Sequence, residues 1–144
     1  IGQENVRATP LQMAMVAAAV ANEGKIMKPY LVQTVRAKDQ SELYSAEPKE
    51  FSQAIKPETA EQLADMMRAV VREGTARNLQ GMNIAGKTGT AEQGDGNPNA
   101  RWFVGFAPVN KPRYAFAVIT EGPGDGATNA GPVAGAIMAQ VLKK

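Results

Sequence analysis

Lys87-Thr88-Gly89-Thr90 is the run in this sequence that most suggests chemistry. In an extended chain, side chains alternate between faces, so Thr88 and Thr90 share one face and can offer two hydroxyls to a carboxylate. Lys87 then projects to the other side, and Gly89 leaves the backbone bare. An extended substrate could lie along such a strand and pair with its main chain, as peptides do on sheet edges. A Lys-Thr-Gly triplet also belongs to a set of three elements in some serine acyl-transfer sites, the others being Ser-x-x-Lys and Ser-x-Asn. Both are missing here: the serines are Ser41, Ser45 and Ser52, and none has Lys three residues on or Asn two residues on. The run therefore looks like part of a catalyst whose nucleophile lies elsewhere.

The same residues admit a second reading. Gly81-Met82-Asn83-Ile84-Ala85-Gly86-Lys87-Thr88 satisfies the phosphate-loop pattern G-x-x-x-x-G-K-[ST], which predicts nucleotide and magnesium binding. A phosphate loop must follow a buried strand and run into a helix whose N-terminal amides hold the phosphates. Here the polar Arg77-Asn78-Leu79-Gln80 comes before. Gly89, Gly94, Gly96 and Pro98 fall where the helix belongs, at a cost of about 1 kcal/mol per interior Gly and about 3 for Pro. A third reading is a noncatalytic chain that only binds or scaffolds, which the missing serine motifs fit.

Composition narrows the chemistry further. With no His and no Cys, Ser-His-Asp and Cys-His arrangements are impossible, and acid–base work falls to Lys, Asp, Glu or Tyr. A zinc site would rest on carboxylates alone. The 144 residues are the size of one domain, and 44% apolar residues suffice for a core. The 16 basic and 14 acidic residues are mixed along the chain without a basic stripe, which argues against a nucleic-acid partner. No window approaches the roughly 20 apolar residues that span a bilayer. Ile1 opens the sequence with neither an initiator Met nor a signal peptide, as in a cleaved or excised piece.

Stepping outward from the run, several elements can position it. Thr9-Pro10-Leu11-Gln12 has the form of a capping box and predicts a helix from there to Ala21, apolar nearly all round and stopped by Asn22-Glu23-Gly24. Such a helix belongs inside a protein, packed on several sides, and so close to the start it calls for a partner surface. Tyr30 to Val35 reads as a strand, and Arg36 to Gln53 as a polar connection with room for a short hairpin. Pro57-Glu58 opens an amphipathic helix with Leu63, Met66, Met67 and Val70 on one face, ended by Gly74. Asn83 to Glu92, Trp102 to Ala107 and Tyr114 to Thr120 read as three successive antiparallel strands. A glycine-rich stretch from Gly122 to Gly131 leads into a closing helix, Pro132 to Leu142. Trp102, Phe103 and Phe106 read as core; Glu92 is in phase with Thr88 and Thr90, either at the cleft rim or at a solvated strand end. The glycine-rich stretch is either a lip of the cleft or a plain connection. The methionines read as packing.

Taken together, the Thr9-Pro10-Leu11-Gln12-Met13-Ala14 helix, the stop Ala21-Asn22-Glu23-Gly24, the strand Lys87-Thr88-Gly89-Thr90-Ala91-Glu92 and the strand Trp102-Phe103-Val104-Gly105-Phe106-Ala107-Pro108 make the chain resemble class B penicillin-binding proteins. These segments occur in the family's order and spacing over nearly the whole length, and Ile1 to Val32 looks most like actinobacterial members. The resemblance implies an α/β fold of the α+β type. An antiparallel sheet flanked by helices forms part of the penicillin-binding and serine β-lactamase-like transpeptidase fold. Residues 1–144 would be the C-terminal part of that domain, with the Ser-x-x-Lys and Ser-x-Asn segments outside it.

For the site, the resemblance places Lys87 in reach of the Ser-x-Asn serine, aiding proton movement and electrostatics. It gives Thr88 and Thr90 the substrate's terminal carboxylate, or that of a β-lactam, and gives the Thr90 N–H one half of an oxyanion hole. The implied reaction is D,D-transpeptidation: an absent serine attacks a D-alanyl-D-alanine bond and the acyl-enzyme passes to an amine on a neighbouring stem peptide, cross-linking peptidoglycan. A carboxypeptidase, β-lactamase or β-lactam sensor shares the fold, and the Thr-Pro-Leu-Gln-Met-Ala helix favours the transpeptidases. The implied partners are stem peptides, β-lactams and the missing N-terminal part of the domain. No metal or organic cofactor is implied. Full-length members work outside the cytoplasm, anchored by one N-terminal membrane segment and serving division or elongation. Alone, this polypeptide is expected neither to acylate nor to cross-link.

Overall fold

The computed structural model describes residues 6–143 except 93, 95 and 97; Ile1 lies outside the described residues. Helix α1 (Pro10–Ala21) starts as its capping box dictates. The Thr9 Oγ1 accepts from the Gln12 N–H at 3.2 Å, and the Gln12 Oε1 accepts from the Thr9 N–H at 2.8 Å. At its end Gly24, with φ +82°, donates its N–H to the Ala19 carbonyl at 2.8 Å. A side chain at Gly24 would meet the Ile55 carbonyl, so the residue serves both the left-handed turn and a close backbone approach.

Four short strands follow: β1 (Lys25–Met27), β2 (Thr34–Arg36), β3 (Glu42–Ser45) and β4 (Glu50–Gln53). β2 and β3 form an antiparallel hairpin, and β1 pairs with β4 around it. The predicted strand from Tyr30 to Val35 shrinks to its last residues. Tyr30 to Val32 lie in no strand, and Leu31 and Val32 are exposed, so apolar β-formers there have neither ladder nor core to join; Gln33 only accepts the Ala46 N–H at 2.7 Å at the end of the β2–β3 ladder. The polar connection itself holds β3 and β4, which pair back to β2 and β1 and not with each other.

Helix α2 (Pro57–Arg72) has Pro at its first position, Glu58 in the first turn and Arg72 in the last, matching the helix dipole at both ends. It buries Ala60, Ala64 and Val71; of the four residues expected on its apolar face, Met67 and Val70 are half-buried, whereas Leu63 and Met66 are exposed. The Gly74 N–H closes it on the Ala69 and Val70 carbonyls at 3.0 and 3.1 Å, and a 3-10 turn, Arg77–Leu79, follows with Leu79 buried.

Strands β5 (Ala85–Ala91), β6 (Ala100–Ala107) and β7 (Tyr114–Glu121) form the predicted antiparallel meander. Helix α3 (Ala130–Val141) closes the described chain. Each face of the sheet has its own helices. Phe103 and Phe116, with ring centroids 5.7 Å apart, pack with Ala130, Ala134 and Met138 of α3 and with Leu79 and Ile84. On the other face Phe106 and Ala85 pack with Val20 and Ala21 of α1 and Ala64 and Met67 of α2. Phe103 and Phe106 are core as expected, whereas Trp102 is only half-buried. The methionines divide: Met138 is buried, Met66 and Met82 are exposed. α1 packs on β6, β7, β1 and α2, yet Leu11 and Val16 on its outer side stay exposed.

Candidate functional site

β5 is an edge strand of the three-stranded sheet, and its character changes along its length. Ala85 and Gly86 are buried, whereas Lys87 and Thr90 are exposed and Thr88 and Gly89 half-buried. The registers Thr88↔Phe103 and Thr90↔Arg101 put both threonines on the α3 face of the sheet. Lys87 alternates to the other face, as expected, and its Nζ donates to the Thr88 carbonyl at 2.7 Å.

A cleft of about 590 Å³ opens along this half of the strand, lined by Thr75, Lys87, Thr88, Gly89, Thr90, Asp125, Gly126 and Ala127. All four residues of the sequence motif line it. Thr75, just beyond the end of α2, places its Oγ1 2.8 Å from the Thr88 Oγ1. Asp125 to Ala127 belong to the glycine-rich stretch between β7 and α3, which is thereby a lip of the cleft and more than a connection. Glu92 is exposed past the strand end and does not line the cleft.

The lip is bonded at several points. The Asp125 Oδ1 accepts from the N–H of Ala127 at 2.8 Å, the N–H of Thr128 at 2.9 Å and the Thr128 hydroxyl at 3.1 Å. The Thr128 bonds, the Ala127 N–H and the nearby Arg101 charge hold the Asp125 carboxyl below the usual range, against a smaller opposing effect of desolvation. Arg101, a buried cation on β6, donates from Nε to the Gly122 carbonyl at 3.2 Å, and the Asn78 amide donates to the Ala127 carbonyl at 2.9 Å. Gly126 lies against the backbone of β5 and β6. A Cβ there would run into the Trp102 carbonyl and come within 2.9 Å of the Gly89 carbonyl oxygen, so no other residue fits without moving the lip.

Chemically, this is a wall with one ammonium, three hydroxyls and open main-chain groups, opposite one carboxylate. It can hold an anion and an extended chain. Among the described residues its lining holds no serine: Ser41, Ser45 and Ser52 lie on the β1–β4 strands and their turn, outside the cleft. Among the described residues no group of His, Cys, Asp or Glu is placed to hold a metal ion. The phosphate-loop reading fails on geometry, because Lys87 and Thr88 sit in mid-strand and β5 continues to Ala91, where the helix would have to begin. Sequence reasoning missed Thr75 and Asp125. Nothing local marks Thr75, while Asp125-Gly126 in a glycine-rich stretch is a turn signal without functional content.

Known proteins resemble the chain along its whole length. Residues 1–143 match the penicillin binding protein transpeptidase domain. A peptidoglycan D,D-transpeptidase, PbpA, of Mycolicibacterium smegmatis is 37% identical over 100% of this chain and 31% of its own length. Stage V sporulation protein D of Bacillus subtilis is 32% identical over 96% of this chain and 23% of its own. Among solved structures, the imipenem acyl-enzyme complex of penicillin-binding protein A from M. tuberculosis superposes with a TM-score of 0.86 at 34% identity. It covers 98% of this chain and 32% of that one. The D,D-transpeptidase domain of a peptidoglycan glycosyltransferase from Eggerthella lenta gives 0.83 at 38%, over 96% of this chain and 33% of that one. The α+β arrangement of helices on an antiparallel sheet is therefore part of the fold of these proteins. The chain spans about a third of the length of the PbpA relative.

Proposed function

The chain belongs to the penicillin-binding protein transpeptidase family, and from that premise we propose that it forms one wall of the active site of a serine-type peptidoglycan D,D-transpeptidase. The observation that carries this is the placement of Lys87, Thr88, Gly89 and Thr90 together on the open half of edge strand β5, facing a cleft. The nucleophilic serine and the Ser-x-Asn serine come from a segment outside this sequence, the remainder of the domain of which residues 1–144 are the C-terminal part.

The proposed roles are those the family resemblance implies, and the positions in the structure support them. The Thr88 and Thr90 hydroxyls, on one face, bind the terminal carboxylate of a D-alanyl-D-alanine stem peptide or the carboxylate of a β-lactam. Lys87 supplies positive charge beside the reacting serines and eases proton movement between them. The Thr88 carbonyl, which the Lys87 ammonium reaches, marks the open side of the strand. The N–H and C=O of one residue point the same way and the direction repeats every second residue, so the Thr90 N–H faces that side too. There it forms one half of an oxyanion hole, with Gly89 leaving the substrate backbone free to approach. The serine attacks the peptide carbonyl and D-alanine leaves. The ester that results is resolved by an amine of a second stem peptide, and a β-lactam stalls the cycle at the ester. No metal or cofactor takes part.

This chemistry belongs on the extracytoplasmic face of the bacterial cytoplasmic membrane, where the relevant peptide strands are, with the anchor in a segment outside this sequence. Among the described residues no helix is long and apolar enough to cross a membrane. The test is intact-mass analysis after penicillin treatment of the transpeptidase that carries this chain. A single penicilloyl adduct on a serine outside residues 1–144 is expected, and the isolated chain stays unmodified. An adduct on Ser41, Ser45 or Ser52, or none on the larger protein, would overturn the assignment.

A further inference from the structure

We infer that Asp125 on the lip sets the charge preference of the cleft, pairing through its second carboxylate oxygen with an ammonium on the acyl-donor peptide; this rests on the transpeptidase reading above. The turn that holds Asp125 uses only one of its oxygens. Oδ1 takes the Ala127 N–H, the Thr128 N–H and the Thr128 hydroxyl. Among the described residues Oδ2 takes no bond, and Asp125 joins no ion pair. The nearby cation, Arg101, is buried and donates from Nε to the Gly122 carbonyl instead. Asp125 itself is exposed and lines the cleft beside Gly126, which lies against Gly89 of the motif.

What the turn needs is an acceptor, not a charge, since the side-chain oxygen of Asn would take the same three bonds. A full negative charge in the cleft where Lys87, Thr88 and Thr90 receive a carboxylate repels that ligand. Its presence is accounted for by a cation elsewhere on the substrate. The proposed reaction supplies one. It joins two stem peptides of one kind, so the amine that attacks from the acceptor is also carried, unreacted and protonated, by the donor. Asp125 is suited to the donor's amine and not to the acceptor's. The Thr128 bonds, then the Ala127 N–H and the Arg101 charge, hold its carboxyl below the usual range, so it is a weak base. It stabilises an ammonium as it stands, whereas an attacking amine must lose its proton.

The experiment measures acylation of the transpeptidase that carries this chain by three penicillins of one skeleton, in wild type, Asp125→Asn and Glu92→Gln. Benzylpenicillin has a neutral side chain, ampicillin adds an ammonium at the side-chain α carbon, and carbenicillin adds a carboxylate there. The side chain stands in for the acyl part of the donor, and at about pH 6.5, below the roughly 7.7 of an α-amino group, the ampicillin amine is protonated. Asparagine keeps the bonds of the turn and removes the charge. The expected result is a ratio of ampicillin to carbenicillin rates that falls about fivefold in Asp125→Asn, the scale of one exposed ion pair. Benzylpenicillin reports any change in the shape of the lip. Glu92→Gln removes an exposed charge outside the cleft and should keep the wild-type ratio. An equal change with all three penicillins in Asp125→Asn would make Asp125 a structural prop and overturn the inference. So would an unaltered ratio, or the same fall in Glu92→Gln. A wild type that none of the three modifies overturns the transpeptidase reading and this inference with it.

Discussion

Phe103 and Phe51 both lie on antiparallel strands, yet Phe103 is 0% exposed and Phe51 71%. Phe103 sits in a sheet of seven- and eight-residue strands covered by α3 on one face and by α1 and α2 on the other. Phe51 sits in a pair of strands three and four residues long with almost no covering layer. The covered sheet ends in an uncovered half-strand, Lys87 to Thr90, and there the proposed site residues stand. A strand whose first half is locked in the core can present its second half at fixed positions, which an arm exposed on both faces cannot do.

Substitutions in the proposed transpeptidase that carries this chain can break that contrast. The largest expected effect is on stability. Phe103→Ala should cost about 3–5 kcal/mol in denaturant unfolding as a large core cavity opens. Phe51→Ala should stay within about 0.5 kcal/mol; equal costs would mean the arm has a core of its own. Next comes Lys87→Ala, expected to slow penicillin acylation about 100-fold, as loss of a group assisting proton transfer does. Lys38→Ala, on the β2–β3 turn, should leave the rate unchanged, and a matching loss there would remove the distinction between site and arm.

Gly126→Ala comes third. The new methyl collides with the Trp102 carbonyl, so the lip must shift, at about 1–3 kcal/mol of stability with a several-fold slower acylation. An unaltered rate would show that the lip does not shape the cleft. The smallest effect is electrostatic. Asp125 has its carboxyl lowered from 3.8 by the bonds within the lip. The resulting stabilisation is therefore fully present above the unfolded value and is lost as pH falls through the lower folded one. The gap in thermal midpoint between wild type and Asp125→Asn should be small, constant near neutrality, and vanish below that folded value. A gap that persists in stronger acid would locate the effect in shape instead of charge.

The sheet, its helices and the motif strand were readable because their signals are local. Thr9 and Gln12 announce a helix start, Pro57 and Gly74 bracket α2, and Trp102 to Ala107 is a run of β-formers. The arm was not, since β1 pairs with β4 across more than twenty intervening residues and neither carries an apolar alternation to give it away. Tyr30 to Val32 reads as a strand because propensity registers side chains, not whether a neighbour exists to pair with. At the site the motif gave Lys87, Thr88, Gly89 and Thr90. Thr75 and Asp125 reach the cleft only through tertiary packing of a helix end and a lip, which no spacing in the sequence encodes.

Where Gly126 meets Gly89, two stretches of main chain touch with no side chain between them. Every polypeptide has that main chain, so mutation has nothing there to trim and can only add bulk that breaks the fit. Heritable variation in what the cleft accepts must therefore arise at other positions, chiefly the hydroxyls of residues 75, 88 and 90. In the proposed transpeptidase, a lineage under antibiotic pressure would have few viable single steps at residues 89 and 126, and its escape routes would lie where side chains, not peptide groups, face the drug.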